Sequence, residues 1–273
     1  FVDCTASEEV VVLYKSVLKA GIPVVTPNKK ANSGPLELYR KLHKLAKEHN
    51  THFLYETNVG AGLPIIHTIQ NLVSSGDEVK KIEGVLSGTL SYIFNSFSSG
   101  NKKFSEIVRE AKKKGFIEPD PRDDLNGKDV ARKILILARE IGLALEPEQV
   151  RVEPILPAKC FSANSVDDFF FELEKLDNDF EKRKKQIKKQ NKVLRYIATL
   201  ENGKVQVRLQ EVGQNHPFYH LSGSDNIISI STKRYNNKPL VIKGSGAGAE
   251  VTAGGVLADI LSIFNHFFYA KLK

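Results

Sequence analysis

The chain has 273 residues, 41% hydrophobic and 26% charged, with a net charge of +8, ordinary globular material for one large domain or two smaller ones. The positive excess raises nucleic acid as a partner, but much of it sits in "EKRKKQIKKQNK" (Glu181 to Lys192) behind the amphipathic "VDDFFFELEKLDNDF"; this reads as the solvated end of a helix, no aromatic-interleaved basic patch accompanies it, and nucleic acid is set aside. With no run of eighteen apolar residues, no signal peptide in "FVDCTAS" and two distant cysteines, Cys4 and Cys160, no membrane association is expected, and a reducing, cytoplasmic setting is.

In chain order, "FVDCTAS" is an apolar strand entered halfway, which implies a longer polypeptide. "EEVVVLYKSVLKAG" has helical spacing and a Gly stop, "IPVVTPN" is a second strand, "GPLELYRKLHKLAKEHN" a helix, and "THFLYETNVGAG" a third strand running into a Gly-rich turn. Strand-helix-strand-helix-strand in so short a span predicts part of a doubly wound parallel sheet, with ligands at the carboxyl ends "CTAS", "TPNKK" and "ETNVGAG". "LPIIHTIQNLVSS", "TLSYIFNSFSSG", "KFSEIVREAKKKG" and "GKDVARKILILAREIG" read as helices, and "VKKIEGVLSG" and "VRVEPILP" as strands. "KVLRYIATLENGKVQVRLQEVG" is a period-2 hairpin, followed by the strand "NIISISTKRY". The sum is an α/β chain: a partial Rossmann-type parallel sheet over residues 1–58, an α+β substrate-binding and dimerisation domain with a largely antiparallel sheet over 59–244, and a Gly-rich loop and apolar helix over 245–273 that return to the nucleotide-binding part.

Chemistry concentrates in "EPDPRDDLNGKDVARK", where Glu118, Asp120, Asp123, Asp124 and Asp129 fall within twelve positions and Lys133 follows Asp129 by one helical turn. Such a pair is ordinarily a surface ion pair worth a few tenths of a kcal/mol. Here the apolar "VARKILILA" buries the helix, a buried lysine needs partners, and five carboxylates exceed what capping needs. A lysine held among carboxylates can donate a proton to a carbonyl oxygen, while the carboxylates bind a substrate ammonium. Lys29 or Lys30 of "TPNKKAN" sits at a strand's carboxyl end. In "ETNVGAGLP" the glycines permit a tight turn; the carbonyls of Val59, Ala61 and Leu63 with the Glu56 carboxylate also suit a hard cation. "GSGAGAEVTAGG" before the last helix is a weak phosphate cradle, and no GxGxxG occurs, so a first nucleotide-binding unit is expected upstream of Phe1.

Together, "EPDPRDDLNGKDVARK", "TPNKKA", "YETNVGAGLPII", "VLSGTLSYIF" and "GAGAEVTAGGVLADI" resemble homoserine dehydrogenase over nearly the whole chain, most of all the dehydrogenase region of bifunctional aspartokinase–homoserine dehydrogenases. The resemblance implies NADP- or NAD-dependent reduction of L-aspartate 4-semialdehyde to L-homoserine in threonine and methionine biosynthesis. It implies Lys133 as proton donor, Lys29 (or Lys30) beside nicotinamide and substrate, and Glu118 and Asp129 on the substrate, supported by Asp123, Asp124 and Thr89. It also implies Thr5, Lys29, Gly115, Glu118 and Gly248 as cofactor contacts, and a sodium ion on Glu56, Val59, Ala61 and Leu63. Two other readings remain: a different NAD(P)-dependent dehydrogenase of amino-acid metabolism, and a non-catalytic dimerisation fragment. A homodimer is expected on separate grounds. Ile228 and Ile230 lie on one face of a strand and Ile227 on the other, and a sheet apolar on both faces needs cover on both.

Overall fold

A computed structural model describes residues 1–270. Two compact units form: Phe1–Val79, Arg132–Val150 and Ser245–Lys273 make the first, and Lys80–Ala131 with Arg151–Gly244 make the second.

The first unit begins with α1 (Glu8–Lys19), whose start is capped by Ser7 accepting from the Glu9 N–H, and which buries Val11, Tyr14 and Leu18. β1 (Val24–Val25), α2 (Lys30–Ser33), α3 (Leu36–Glu48) and β2 (Phe53–Leu54) follow. β1 and β2 pair in parallel, Val24 opposite Phe53, and Val2 bridges Val25 in parallel on the other side. The expected parallel arrangement is there, in strands far shorter than the sequence pattern suggests. After a 3-10 turn, Glu56–Asn58, comes α4 (Ile66–Ser74).

The second unit takes up β3 (Val79–Val85), α5 (Gly88–Ser99), α6 (Phe104–Lys113) and α7 (Pro121–Leu125). α8 (Lys128–Glu140) starts in this unit and continues into the first. β4 (Arg151–Val152), α9 (Ala158–Phe161), α10 (Val166–Glu174), α11 (Asp177–Lys189), β5 (Lys192–Glu201), β6 (Lys204–Gly213), β7 (Asp225–Thr232) and β8 (Leu240–Ser245) complete it, and α12 (Ala249–Ala270) belongs to the first unit. One mixed sheet runs β4-β6-β5-β3-β7-β8. β5 is antiparallel to both β3 and β6, and the two-residue β4 runs parallel to β6. Asn202 and Gly203 both take positive φ, 51° and 73°, the backbone a two-residue hairpin requires.

Three expectations need correction. The boundary at residue 58 is not where the units divide, because 59–79 and 132–150 are tied to the first unit by hydrogen bonds. The Glu56 carboxylate accepts from the amides that open α4, and Glu140 near the end of α8 accepts from Tyr55 and Gln70. The helix expected from Val166 breaks into α10 and α11, because Asp177 turns inward and accepts from the N–H and hydroxyl of Ser105 at the start of α6. Nor is the basic stretch simply solvated. α11 packs on β5, and Lys184 is 9% exposed, pairs with Glu181, and lies 4.5 Å from the Phe97 ring centre.

The strand argument for assembly is also answered within one chain. Ile228 and Ile230 are 0% exposed, and Ile227, 3% exposed, packs with Val85, Ile197, Phe218 and Leu221. The loop bearing Phe218 and Leu221 is held down by the buried Arg195, whose guanidinium donates to the carbonyls of Phe218, Tyr219 and Leu221. No described helix is long and apolar enough to cross a membrane.

Candidate active site

In the first unit the carboxyl ends of the parallel strands are fixed by a buried polar frame. Asp3, 2% exposed, accepts from the Tyr14 hydroxyl, from the Thr5 N–H at 2.8 Å and from Asn28 Nδ2 at 3.0 Å. Burial pushes its carboxyl up, but these hydrogen bonds outweigh that, so it sits below its usual range and is charged at neutral pH. Thr26 Oγ1 donates to the Asp3 carbonyl and accepts from the Asn28 N–H. Asn28 Oδ1 in turn accepts from the Lys30 N–H.

This frame presents two of the expected residues. Thr5 is exposed just beyond Asp3. Lys29 is half-buried at the start of α2, its carbonyl accepting from Asn32 N, Ser33 N and Ser33 Oγ. The neighbouring Lys30 turns to Glu8 instead, at 2.7 Å. That engages Lys30 in an ion pair with α1.

Glu56 lies 6% exposed, and its side chain has another job than the one expected. Oε1 accepts from Ile65 N at 2.6 Å and Ile66 N at 2.7 Å. Oε2 accepts from His67 N at 2.8 Å and faces His67 Nδ1 at 2.5 Å. A carboxylate offers about four lone-pair directions, and four N–H groups fill them. The Glu56 carboxylate is therefore a buried cap on α4, favourably placed against the helix dipole. In the turn that follows, Ala61 takes a left-handed φ of 54° between Val59 and Leu63, and the Leu63 carbonyl accepts from Ile65 N.

The Gly-rich segment before α12 divides in two. Gly255 is a packing glycine, since a Cβ there would lie 2.5 Å from Thr57 Cγ2. Gly248 has φ +127° with nothing within 4 Å of a Cβ position, and its carbonyl accepts from Thr252 N at the start of α12. That open backbone beside a helix start suits a nucleotide contact.

In the second unit the acidic segment sorts itself. Asp120 is used up: it caps α7 through the Arg122 N–H and is gripped by the Arg122 guanidinium, which holds its carboxyl below the usual range. Asp124 Oδ2 accepts from the Glu118 N–H at 2.9 Å, fixing the backbone that carries Glu118. Glu118 and Asp123 project as exposed side chains, and Asp129 is half-buried at the start of α8. Thr89, in the first turn of α5, donates to the Phe116 carbonyl at 2.7 Å, tying α5 to the turn in which Gly115 takes φ +71°. On α8 Lys133 is 9% exposed and is followed by Ile134 to Ala138, each at most 1% exposed.

The homoserine dehydrogenase profile matches residues 64–261, and that of the homoserine dehydrogenase NAD-binding domain matches residues 1–56. The chain belongs to the homoserine dehydrogenase family. It is 51% identical over 267 residues to a chloroplastic bifunctional aspartokinase/homoserine dehydrogenase of Zea mays, covering 97% of this chain and 29% of the relative. It is 45% identical to the homoserine dehydrogenase of Schizosaccharomyces pombe, covering 97% of this chain and 72% of that one. A hyperthermophilic archaeal homoserine dehydrogenase solved in complex with NADPH superposes with a TM-score of 0.73 at 27% identity, covering 97% of this chain and 71% of that one. The chain thus spans under a third of the length of the bifunctional homoserine dehydrogenases it resembles.

Several buried charged residues near the candidate site residues escaped the sequence reading. Asp3 and Asp259 were legible in principle, as lone acids in apolar runs. Asp259 on α12 is fully buried, accepts from the Glu56 N–H at 3.0 Å, and is pushed up to about 6, chiefly by burial. Arg139, in the apolar second half of α8, carried the same signal.

Burial also raises the Asp124 carboxyl above its ordinary value, against the pull of the Glu118 N–H and Thr89 hydrogen bonds. A raised carboxyl gives stability that is complete below the unfolded value and is lost as pH rises through the folded one. Asp124→Asn removes that loss. In denaturant titrations the stability of the variant relative to the parent should improve as pH rises above the ordinary aspartate range and level off once the raised folded value is passed; a difference independent of pH would mean that Asp124 is not strained by burial.

Proposed function

We propose that the chain carries out the reduction of L-aspartate 4-semialdehyde to L-homoserine, with NADPH or NADH as the reductant. The observation that carries this reading is Lys133, a lysine 9% exposed, one turn after Asp129 on a helix otherwise apolar from Ile134 to Ala138. The nicotinamide, when bound, supplies the hydride that the aldehyde carbon accepts. As the carbonyl oxygen gains negative charge, the Lys133 ammonium stabilises it and gives it a proton, so that the alcohol leaves neutral. Glu118 and Asp129 hold the substrate ammonium. Asp124 serves by fixing the Glu118 backbone, with Asp123 and Thr89 beside them. Thr5, Lys29, Gly115, Glu118 and Gly248 are the proposed cofactor contacts, and the NADPH found in the archaeal relative supports that cofactor. The free thiols of Cys4 and Cys160 support a reducing compartment, for which we propose the cytoplasm.

Lys133→Ala should fold with near-parental melting behaviour and lose about 10²- to 10⁴-fold in kcat, the range for removal of a general acid. Steady-state oxidation of NADPH by the semialdehyde measures it, and near-normal kcat would remove Lys133 from the role.

A sodium ion is proposed on the Val59, Ala61 and Leu63 carbonyls, with the Glu56 carboxylate behind them as the helix cap. Replacing sodium by tetramethylammonium should lower the melting temperature of the full-length protein; identical melting curves in the two salts would count against the site.

A homodimer is proposed as well, now on a different observation. β8 is an edge strand of six residues with Val241 45% exposed, and such an edge is a template for pairing. Sedimentation velocity at micromolar concentration should show a dimer boundary, and a single monomer boundary would rule the dimer out.

A further inference from the structure

Arg139 is 3% exposed, its side chain 0%. It sits six residues after Lys133 on α8. Glu146 Oε2 lies 4.0 Å from Nη2, on a side chain 47% exposed, the Tyr39 ring centre lies 5.2 Å from Cζ, and backbone carbonyls take the guanidinium's hydrogen bonds. Nη1 donates to Asn32 O at 2.7 Å, and Nη2 donates to Gly34 O and to Leu145 O, both at 2.8 Å. Nε reaches Leu145 O as well, at 3.2 Å. Burying an arginine in this way is costly, and a well-packed apolar residue often serves stability as well or better. The donors are therefore best explained by what they fix.

Two of the three carbonyls belong to the end of α2, the short helix that Lys29 opens. The rest of that segment is equally constrained. The Lys29 carbonyl takes Asn32 N, Ser33 N and Ser33 Oγ. Asn32 Nδ2 donates to Asn58 Oδ1, and Asn58 Nδ2 donates to the Thr26 carbonyl. A Cβ on Gly34 would lie 2.8 Å from the Lys30 carbonyl, so the chain doubles back there too tightly to shift on its own. The planar fork of Arg139, whose donors are set by covalent geometry, ties this segment directly to α8.

We infer that Arg139 is a positioning residue: it locks the α2 segment that carries Lys29 to the helix that carries Lys133, and so holds the two lysines in register for the proposed reduction, on which this inference rests. Lysine in its place offers one point charge on a flexible stem instead of a fork, and a misplacement of about 1 Å at a reacting centre can cost on the order of 10²-fold.

Arg139→Lys and Arg139→Gln in the full-length protein test this by two independent readouts. Amide hydrogen exchange is followed over residues 29–34 and over α1. The expected result is faster exchange at 29–34 with α1 unchanged; unaltered exchange at 29–34 overturns the clamp, whatever the enzyme does. The second readout is kcat and KM for the semialdehyde, corrected for folded fraction. Arg139→Lys should lose about 10- to 100-fold in kcat with KM nearly unchanged and should retain more activity than Arg139→Gln. Equal kcat in the folded variants and the parent means that Arg139 is only a structural anchor and overturns the positioning role. A parent protein that oxidises no NADPH with the semialdehyde counts against the proposed reaction, and hence the positioning role, while the exchange data still decide the clamp.

Discussion

The first unit depends on one buried charge. Asp3 ends the first strand with its carboxylate out of water, and a carboxylate there must be met by donors. They come from α1 through Tyr14, from the loop after β1 through Asn28, and from its own turn through the Thr5 N–H. Three separate segments are thereby drawn to one point at the carboxyl ends of parallel strands, where folds of this kind bind ligands. Two-residue strands such as β1 and β2 supply few ladder hydrogen bonds, so side-chain bonds carry much of the specification that longer strands would get from their backbone.

A second buried charge works in the same way. The Glu56 carboxylate takes the amides that open α4, and Asp259 takes the Glu56 amide from α12. At Glu56 a carboxylate that looks from sequence like ligand chemistry holds backbone amides. The acidic segment shows the same economy: Asp120 goes to α7 and Arg122, and Asp124 goes to the Glu118 amide. The surplus of acids at that segment is real, but it is smaller than a count suggests, and it is the fixed ones that give Glu118 a defined backbone.

Order and type of the elements were legible because they are written in local periods: the strand-helix alternation of the first third, the Asn202-Gly203 hairpin, and the apolar helix after Asp129. Element ends were less so. The break between α10 and α11 depends on Asp177 finding Ser105 across 72 positions of sequence, which no local pattern contains. The same holds for Lys184, whose run of basic neighbours suggests a solvated face while its own stem is covered.

By itself the sequence determined the family, through long motifs in a fixed order, and it determined that Asp129 and Lys133 share a helical face, because that follows from 3.6 residues per turn alone. It also placed Lys29 or Lys30 at a strand's carboxyl end. Only tertiary structure decided that Lys30 of the "KK" pair is engaged in an ion pair, since that turns on Glu8 of a different helix lying 2.7 Å from it. It decided too that Glu56 caps a helix, that residues 59–79 and 132–150 belong with the first unit, and that Arg139 reaches the α2 segment more than a hundred residues away. The physical reason is common to all four: a charged side chain is defined by the donors and acceptors around it, and those come from parts of the chain that only folding brings together.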